Sequence, residues 1–303
     1  MSRDAPEVAF VLPAGGSAGA AQVGSLLALL EAGIVPDVLV GCSVGALNAT
    51  YLAIEPSVEQ VQRLAEIWAG LTRAQVFGSS WTRTLIRVAA GREHVYEPDL
   101  LRSLIRRFCT MADLSDTAIP VHVVSTDLDA GTERWWSRGA PEEVLYASAC
   151  LPGLFPPAVL DGHRHVDGGV LEPIPVERAV GLDARTIYVI GDVVQPTVPS
   201  GRMHALAVVL HAFAISRYAR LPDPEAMAHP GQEVIVLPGA PTQGIDLRDF
   251  SHTRRLIDES HALTSARLEH LGRRGGDALA PELVAGSAGM EPVGAEQRLH
   301  VSA

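Results

Sequence analysis

The chain has 303 residues, of which 47% are hydrophobic and 19% charged, and its 24 basic and 35 acidic residues give a net charge of −11. This is the composition of an ordinary globular protein and excludes a globally disordered chain, while the negative charge argues against a nucleic-acid partner. The cysteines, Cys42, Cys109 and Cys150, form no CxxC or Cys/His cluster, so neither a disulfide framework nor a zinc site is expected.

The N-terminal segment lacks the features of a secretion signal. Asp4, Pro6 and Glu7 interrupt the place where such a signal needs its apolar stretch, and no uncharged apolar segment of about 18 residues follows. We therefore expect a soluble, cytoplasmic protein, although non-standard export would leave no such trace. Any contact with a membrane surface is expected to be hydrophobic and transient, because the net charge supplies no attraction to anionic lipid.

The first sixty residues predict two strand–turn–helix units. Val8–Leu12 is an apolar strand, and after a glycine-rich turn the residues Val23, Leu26, Leu27 and Leu30 recur at helical spacing. A second strand is predicted at 38–40, followed by a turn at 41–45 and a helix with small residues on its packing face. This alternation of strand and helix indicates an α/β fold with a largely parallel sheet covered on both faces.

The same patterns predict the later elements. Strands are expected at 121–126, Thr186–Ile190 and Glu233–Leu237, a turn and return strand at 131–136, and helices near 58–71, 98–108, 141–148, 204–218 and 253–271. Residues 1–272 are predicted to form one catalytic domain. Residues 273–303 lose apolar periodicity and gain glycine, alanine and proline, so we expect a flexible tail without chemistry.

A G-x-S-x-G motif directly follows the second predicted strand. Gly41 and Gly45 flank Ser43 at a sharp strand-to-helix turn, where side chains at the flanking positions would collide with the strand and helix. The serine hydroxyl would be exposed at a helix N-terminus, which favours developing negative charge. Taken alone, the motif is equally compatible with a glycine-flanked turn in which Ser43 caps the helix.

A glycine-rich loop connects the first strand and helix. Gly15 and Gly16 have no side chains, so their N–H groups can approach a substrate and stabilise a tetrahedral oxyanion. Phosphate or dinucleotide binding is the competing interpretation, but no Lys-Ser/Thr follows the loop, and Ala14 stands where G-x-G-x-x-G would need glycine. A tight turn that only packs the helix is the third alternative.

The base that would activate Ser43 has two kinds of candidate. Five histidines come late enough for a Ser-Asp-His triad, but all lie in or beside predicted helices: His204, His211, His252, His261 and His270. We interpret His163 and His165 as structural. Asp167 precedes Gly168 and Gly169, and a desolvated carboxylate close to a serine can accept its proton directly. Taken alone, Asp-Gly more often marks a hairpin turn.

Together these motifs resemble the patatin-like phospholipase family over residues 8–194, with a fainter similarity at 249–252. The segments that carry the resemblance are Gly19-Ala-Ala-Gln-Val-Gly24, Gly41-Cys-Ser-Val-Gly-Ala-Leu-Asn-Ala49, Ala147-Ser-Ala-Cys-Leu-Pro-Gly-Leu-Phe-Pro-Pro157 and Val166-Asp-Gly-Gly-Val170.

The resemblance implies a three-layer α/β/α fold with a mainly parallel central sheet and a Ser-Asp dyad without histidine. Ser43 would be the nucleophile, Asp167 the base, and Gly15 with Gly16 the oxyanion donors. The implied reaction is ester hydrolysis through an acyl-enzyme, on acyl lipids, lysophospholipids or simple esters, with no metal or organic cofactor. The sequence does not indicate an oligomeric state.

The chain departs from the family pattern at two places. Ala14 and Ala18 stand in the first loop where the family often has a third glycine and an arginine, so oxyanion stabilisation could be weaker. Glu172 stands where an asparagine is common, and we expect only a local effect there. An acyltransferase with the same dyad and a weakly catalytic lipid-binding protein therefore remain alternatives, with a histidine-triad hydrolase as a minor third.

An aromatic-rich segment follows the second unit, and two interpretations of it stay open. Its apolar residues are interrupted by Arg73, Arg83 and Arg87, which would suit a mobile cover that dips into lipid headgroups. Core packing of two helices is the favoured alternative. The apolar residues concerned are Trp68, Leu71, Val76, Phe77, Trp81, Leu85 and Ile86.

Overall fold

A computed structural model describes residues 5–78, 94–191, 205–219, 221 and 223–276. The chain divides into two compact units, 1–268 and 269–303. The first contains the sheet and every predicted site residue, and the second is described only over 269–276, the end of the last helix. Most of the predicted tail lies outside the described residues, so the predicted boundary at 272 stays a prediction.

The described residues form alternating strands and helices. The strands are β1 (Val8–Leu12), β2 (Val38–Cys42), β3 (Val121–Asp127), β4 (Thr132–Trp136), β5 (Ala158–Leu160), β6 (His163–Asp167), β7 (Thr186–Ile190) and β8 (Glu233–Leu237). The helices are α1 (Gly19–Glu31), α2 (Val44–Ile54), α3 (Val58–Gly70), α4 (Arg73–Phe77), α5 (Asp99–Phe108), α6 (Pro141–Ala149), α7 (Val176–Gly181), α8 (Ala205–Tyr218) and α9 (Thr253–Gly276).

The sequence predicted most of these elements within a few residues, and the differences have local causes. Strand β2 runs to Cys42 rather than to residue 40, because Gly41 and Cys42 also pair with β3. Helix α9 continues past its predicted end to Gly276. Strands β5 and β6 and helices α4 and α7 were not among the predicted elements. His204, the predicted first residue of α8, lies outside the described residues.

The sheet is mainly parallel and buried on both faces. In the described residues its order is β5-β6-β3-β2-β1-β7-β8, with β4 pairing only with β3, and the contiguous run from β3 to β8 is parallel. Ala9 and Val11 pack with Ala179 of α7 on one face. Phe10 between them is also fully buried, and alternate side chains point to opposite faces. Helices therefore flank both faces, and the predicted α/β/α fold is confirmed.

The pairing of β3 determines where the site forms. Strand β4 pairs with Val123–Asp127 of β3 and overlaps the registers of both β2 and β6. Because a strand has only two edges, β2 and β6 must share the other edge of β3. Cys42 lies opposite Val124, and Asp167 lies opposite Ser125, at the next position. The end of β2 and the end of β6 therefore meet.

Candidate active site

Ser43 occupies the turn between β2 and α2. Its backbone has φ 55° and ψ −124°, and its side chain makes no capping hydrogen bond to the helix. The residue is only 7% exposed. The interpretation of Ser43 as an ordinary helix cap therefore does not describe this turn. Its hydroxyl is instead directed to another part of the chain.

The two glycines beside Ser43 leave no room for a side chain. A Cβ atom on Gly45 would lie 2.1 Å from the carbonyl oxygen of Leu12, and one on Gly41 would lie 2.6 Å from Cα of Ala46. Both neighbours are backbone atoms of the sheet and helix that the turn connects. This is the steric requirement that the motif expresses at the level of sequence.

The Ser43 hydroxyl donates a hydrogen bond to Asp167. Its Oγ lies 2.6 Å from Oδ2 of the carboxylate, which is 1% exposed. The other carboxylate oxygen, Oδ1, accepts the N–H of Gly169 at 2.8 Å. A Cβ on Gly168 would lie 2.4 Å from the Val124 carbonyl oxygen, so glycine is required for the close approach of this turn to β3. The structure thus brings the predicted serine and aspartate together.

No described histidine forms a hydrogen bond with the Ser43 hydroxyl. His261 contacts Glu31 at 2.7 Å, His252 lies 3.6 Å from Asp249, and His204 is outside the described residues. His165 is buried against Ser125, and this burial lowers the pKa of its imidazole. Within the described residues the serine is therefore paired with a carboxylate and not with an imidazole.

Ser148 also contacts the nucleophile turn, and the sequence argument did not single it out. The Ser43 N–H donates to Oγ of Ser148, on α6, at 2.9 Å. Ser148 is fully buried. The signal available in the sequence was its place in the family-like segment that begins at Ala147. This hydrogen bond fixes the backbone of the turn independently of the hydroxyl.

The glycine-rich loop presents two unoccupied N–H groups. Ala14 donates its N–H to the Pro173 carbonyl at 2.9 Å and Ser17 donates to the Leu247 carbonyl at 2.8 Å, whereas the N–H groups of Gly15 and Gly16 have no acceptor among the described residues. Gly16 has φ 57°, and it lines the same cavity as Ser43. Gly16 therefore presents a free donor to the cavity of Ser43, as an oxyanion site requires, whereas Gly15 lines a neighbouring pocket.

Gly19 permits close packing between this loop and the helix that carries the serine. A Cβ at Gly19 would lie 2.5 Å from Cγ2 of Val44, the residue after Ser43. The glycine therefore allows α1 to begin against the N-terminus of α2. The loop and the turn that carries Ser43 are consequently packed close together.

An uncharged cavity of about 140 Å³ opens at Ser43. None of its lining residues carries a charge, and most are aliphatic or aromatic, with contributions from α2, α3, α4 and α5. The lining includes Leu47, Leu64, Ile67, Trp68, Leu104, Phe108, Phe155, Leu247 and Phe250. A concave apolar site with few polar groups at one end suits a hydrocarbon chain attached to a polar head.

The described part of the aromatic-rich segment forms the wall of this cavity. Leu71, Val76 and Phe77 line it together with Trp68, which is only 5% exposed. Trp68 is thus buried, as the core-packing alternative expects, whereas Leu71, Val76 and Phe77 are half-buried. Trp81, Arg83, Leu85, Ile86 and Arg87 lie outside the described residues, so a cover that contacts lipid stays a prediction.

One group of side chains in the described residues has the spacing of a cation site. Ligand atoms of Asp127, Asp129 and His163 lie within 4.8 Å of one another. Each already has a protein partner: Asp127 accepts the N–H groups of Asp129 and Ala130, and Asp129 is held by Arg164. The Arg164 guanidinium holds the pKa of Asp129 at about 2. We assign no metal to this group.

The chain belongs to the patatin-like phospholipase family, whose sequence model matches residues 10–180. It is 30% identical to patatin-like phospholipase domain-containing protein 7 of Rattus norvegicus over 185 residues, which cover 60% of this chain and 13% of that protein. It is 31% identical over 188 residues to an uncharacterised NTE family protein of Mycobacterium tuberculosis, covering 59% of this chain and 47% of that one. The chain thus matches less than half the length of either relative.

Solved structures also resemble the chain. VipD from Legionella pneumophila superposes with a TM-score of 0.46 and 13% identity, over 89% of this chain and 68% of that one.

No helix in the described part of the chain is both long enough and apolar enough to cross a membrane.

Proposed function

We propose that this protein is a lipid acyl hydrolase in which Ser43 is the nucleophile and Asp167 the general base. The observation that carries the proposal is the 2.6 Å hydrogen bond from Ser43 Oγ to Asp167 Oδ2, at the end of an uncharged apolar cavity. Membership of a family named for phospholipases supports acyl lipids, including lysophospholipids, as substrates. Simple esters should also react, because the chemistry involves only the ester group.

The first step forms a tetrahedral intermediate on Ser43, which becomes the acyl-enzyme when the alcohol leaves. Asp167 Oδ2 takes the hydroxyl proton while Ser43 Oγ bonds to the ester carbonyl carbon, and the carbonyl π electrons move onto the oxygen. The free N–H groups of Gly15 and Gly16 are the proposed donors to this oxyanion, and each such donor is typically worth roughly 10²–10³ in rate. The positive end of the α2 dipole adds to the same stabilisation.

The second step releases the two products. The carbon–oxygen bond to the alcohol breaks, and Asp167 returns the proton to the departing oxygen. Water then gives its proton to Asp167 and attacks the acyl carbon, the tetrahedral intermediate collapses, and Ser43 regains its proton. The net change is ester plus water to acid plus alcohol. The Gly169 N–H keeps Oδ1 fixed throughout, so that Oδ2 stays aimed at the serine.

The departures from the family pattern affect the expected rate. With Ala14 and Ala18 in the loop, neutral backbone donors stabilise the oxyanion without a loop arginine.

An acyl chain can fill the cavity while its polar head stays outside, which would require transient contact with a membrane or micelle surface. The cytoplasmic location of the protein stays a prediction from the sequence.

Nitrophenyl ester hydrolysis tests the proposal. Ser43→Ala and Asp167→Asn should each lower kcat by about 10³-fold or more, because each removes a group that acts in every turnover. A fluorophosphonate should label the wild type and not Ser43→Ala. Matched controls are Ser25→Ala, a fully buried serine bonded to Thr264, and Asp127→Asn at the end of β3. Both controls should keep kcat within about threefold.

Three outcomes would contradict the proposal in different ways. Full activity in Asp167→Asn, with loss on changing a late histidine, would establish a triad instead. Transfer of the acyl group to an added alcohol in preference to water would favour an acyltransferase. A wild type that neither hydrolyses esters nor reacts with the fluorophosphonate would favour a lipid-binding protein.

A further inference from the structure

Two buried amide side chains hold both ends of the glycine-rich loop. Gln22 on α1 donates from Nε2 to the carbonyl of Pro13, at the start of the loop, at 2.7 Å. Asn48 on α2 donates from Nδ2 to the carbonyl of Gly19, at the end of the loop, at 3.0 Å. The same Asn48 nitrogen lies 2.9 Å from Oε1 of Gln22. One connected pair of side chains therefore spans the loop.

The pair also reaches the wall of the apolar cavity. Trp68 donates from Nε1 to Oδ1 of Asn48 at 2.9 Å, and both residues line the cavity. We call Gln22, Asn48 and Trp68 the loop clamp. All three are at most 5% exposed, so water cannot replace these hydrogen bonds without rearrangement of the helices.

The loop is held from its other side by a segment that touches the same tryptophan. Ser17 donates its N–H to the Leu247 carbonyl at 2.8 Å and its hydroxyl to the Asp246 carbonyl at 3.0 Å. Phe250, three residues after Leu247, has its ring 6.0 Å from that of Trp68. The loop, the clamp and this segment therefore form a closed ring of contacts, and each of the three contributes residues to the cavity lining.

We propose that the loop clamp positions the oxyanion donors and makes their position depend on the acyl chain in the cavity. This inference rests on the proposed hydrolase function. Gln22 and Asn48 act through the Gly15 and Gly16 N–H groups and touch no reacting atom. An acyl chain that packs on Trp68 steadies Asn48, and Asn48 steadies the loop. Longer chains should then raise kcat and not only lower KM, because remote binding energy is used to orient the reacting groups.

The test compares nitrophenyl acetate, butyrate, octanoate and decanoate on the wild type and on Gln22→Met. Methionine keeps the length of the side chain, but the Pro13 carbonyl loses its donor and Asn48 Nδ2 keeps only the Gly19 carbonyl as acceptor. We expect kcat on the longer esters to fall by about 10–100-fold, the effect of misplaced reacting groups, with KM within about twofold. The rise of kcat with chain length that the proposal predicts for the wild type should disappear.

Gln60→Met is the matched control. Gln60 is 5% exposed on α3 and donates from Nε2 to the Tyr51 carbonyl at 2.9 Å, with no bond to the loop. It should lose comparable stability and yet keep wild-type kcat at every chain length. Trp68→Phe removes the indole N–H while keeping an aromatic ring in the cavity wall. It should flatten the chain-length dependence of kcat even if Gln22→Met fails to fold.

The outcomes separate this inference from the function on which it rests. If the wild type turns over esters, and both variants keep its kcat and its chain-length dependence within twofold, the clamp is overturned and the hydrolase stands. An equal loss of kcat in Gln60→Met would also overturn it, since the effect would then follow stability. A wild type without turnover overturns the proposed function and the clamp with it.

Discussion

At the residue scale, the backbone of Ser43 is the most constrained point of the site. Its φ is 55°, and among the described residues other than glycine only Asp161 and Asp183 also have a positive φ. This left-handed region is unfavourable for a residue with a Cβ. Neighbouring groups hold the strained turn in place. The Ser43 N–H is bound by Ser148, and its carbonyl accepts the N–H groups of Ala46 and Leu47.

We predict that Gly45→Ala destabilises the protein by about 3 kcal/mol, the range of an overpacked core. The new Cβ would lie 2.1 Å from the Leu12 carbonyl oxygen, and Leu12 is held in the sheet by its pairing with Gly41. Urea unfolding gives the free energy of unfolding. The control is Gly181→Ala, where nothing lies within 4 Å of the added Cβ. Equal stability of the two variants would refute the steric argument.

The half-buried carboxyl of Glu172 should make the stability of the protein depend on pH. Burial raises the pKa of its carboxyl to about 7, with Glu133 and Glu177 adding to the effect, whereas an unfolded glutamate titrates near about 4.3. The folded state therefore binds the proton more tightly, and this contribution to stability is full below pH 4 and lost as the pH rises through 7.

We expect Glu172→Gln to remove this dependence. The Tm of the wild type should fall relative to that of the variant between pH 4 and pH 8, and differential scanning calorimetry across this range measures the difference. Glu142→Gln is the contrasting control, because Arg106 and Arg102 counter burial and lower the pKa of Glu142. A constant Tm difference between wild type and Glu172→Gln would contradict the assignment.

At the scale of elements, the sequence predicts what its periodicity is long enough to express. Strand β1 is a continuous apolar run, β7 and β8 each contain four consecutive apolar residues, and the longer helices repeat apolar residues over several turns. The elements that were missed are short: β5 has 3 residues, β6 and α4 have 5 each, and α7 has 6. A helix of fewer than two turns cannot display a period, and the conformation of such short segments depends on what they pack against.

The residues of the site also fall into those that local sequence reveals and those that only long-range contacts define. Ser43 and the glycines were recognisable because the requirement for them is local, within one turn. Ser148 was not, because it contacts Ser43 across 105 positions of the chain. Gln22 and Asn48 read as ordinary polar residues of two helices, 26 positions apart, until the helices are packed together. Strands β2 and β6 pair with successive parts of one edge of β3, and this arrangement likewise depends on contacts between distant parts of the sequence.

The helices around the cavity predict a limit on acyl-chain length. Leu104 on α5 lines the cavity, while the neighbouring Ser103 is exposed. Leu104→Trp should lower kcat/KM for the decanoate ester by about tenfold or more and leave the acetate within twofold, because a filled pocket rejects extra methylenes. Ser103→Trp, on the same helix, should change neither. Equal effects on both esters would place the long chain elsewhere.

At the scale of the whole molecule, every described strand of the sheet and every described residue of the site precedes the predicted tail. Every described residue that lines the cavity or bonds to Ser43 lies before position 251. A chain shortened to residues 1–276 should therefore keep its Tm within about 2 °C and its esterase kcat within twofold. Calorimetry and the nitrophenyl ester assay measure both quantities, and loss of turnover in the shortened chain would assign residues 277–303 a part in the site.

The hydrogen bond between Ser43 and Asp167 joins positions 124 apart. During synthesis at about 5–20 residues per second, the serine leaves the ribosome roughly 6–25 s before the aspartate. Until β6 pairs with β3, the nascent chain carries Ser43 without the carboxylate that we propose as its base. On that proposal the hydroxyl stays unreactive during early synthesis, and the appearance of fluorophosphonate reactivity marks the moment at which β6 has paired with β3.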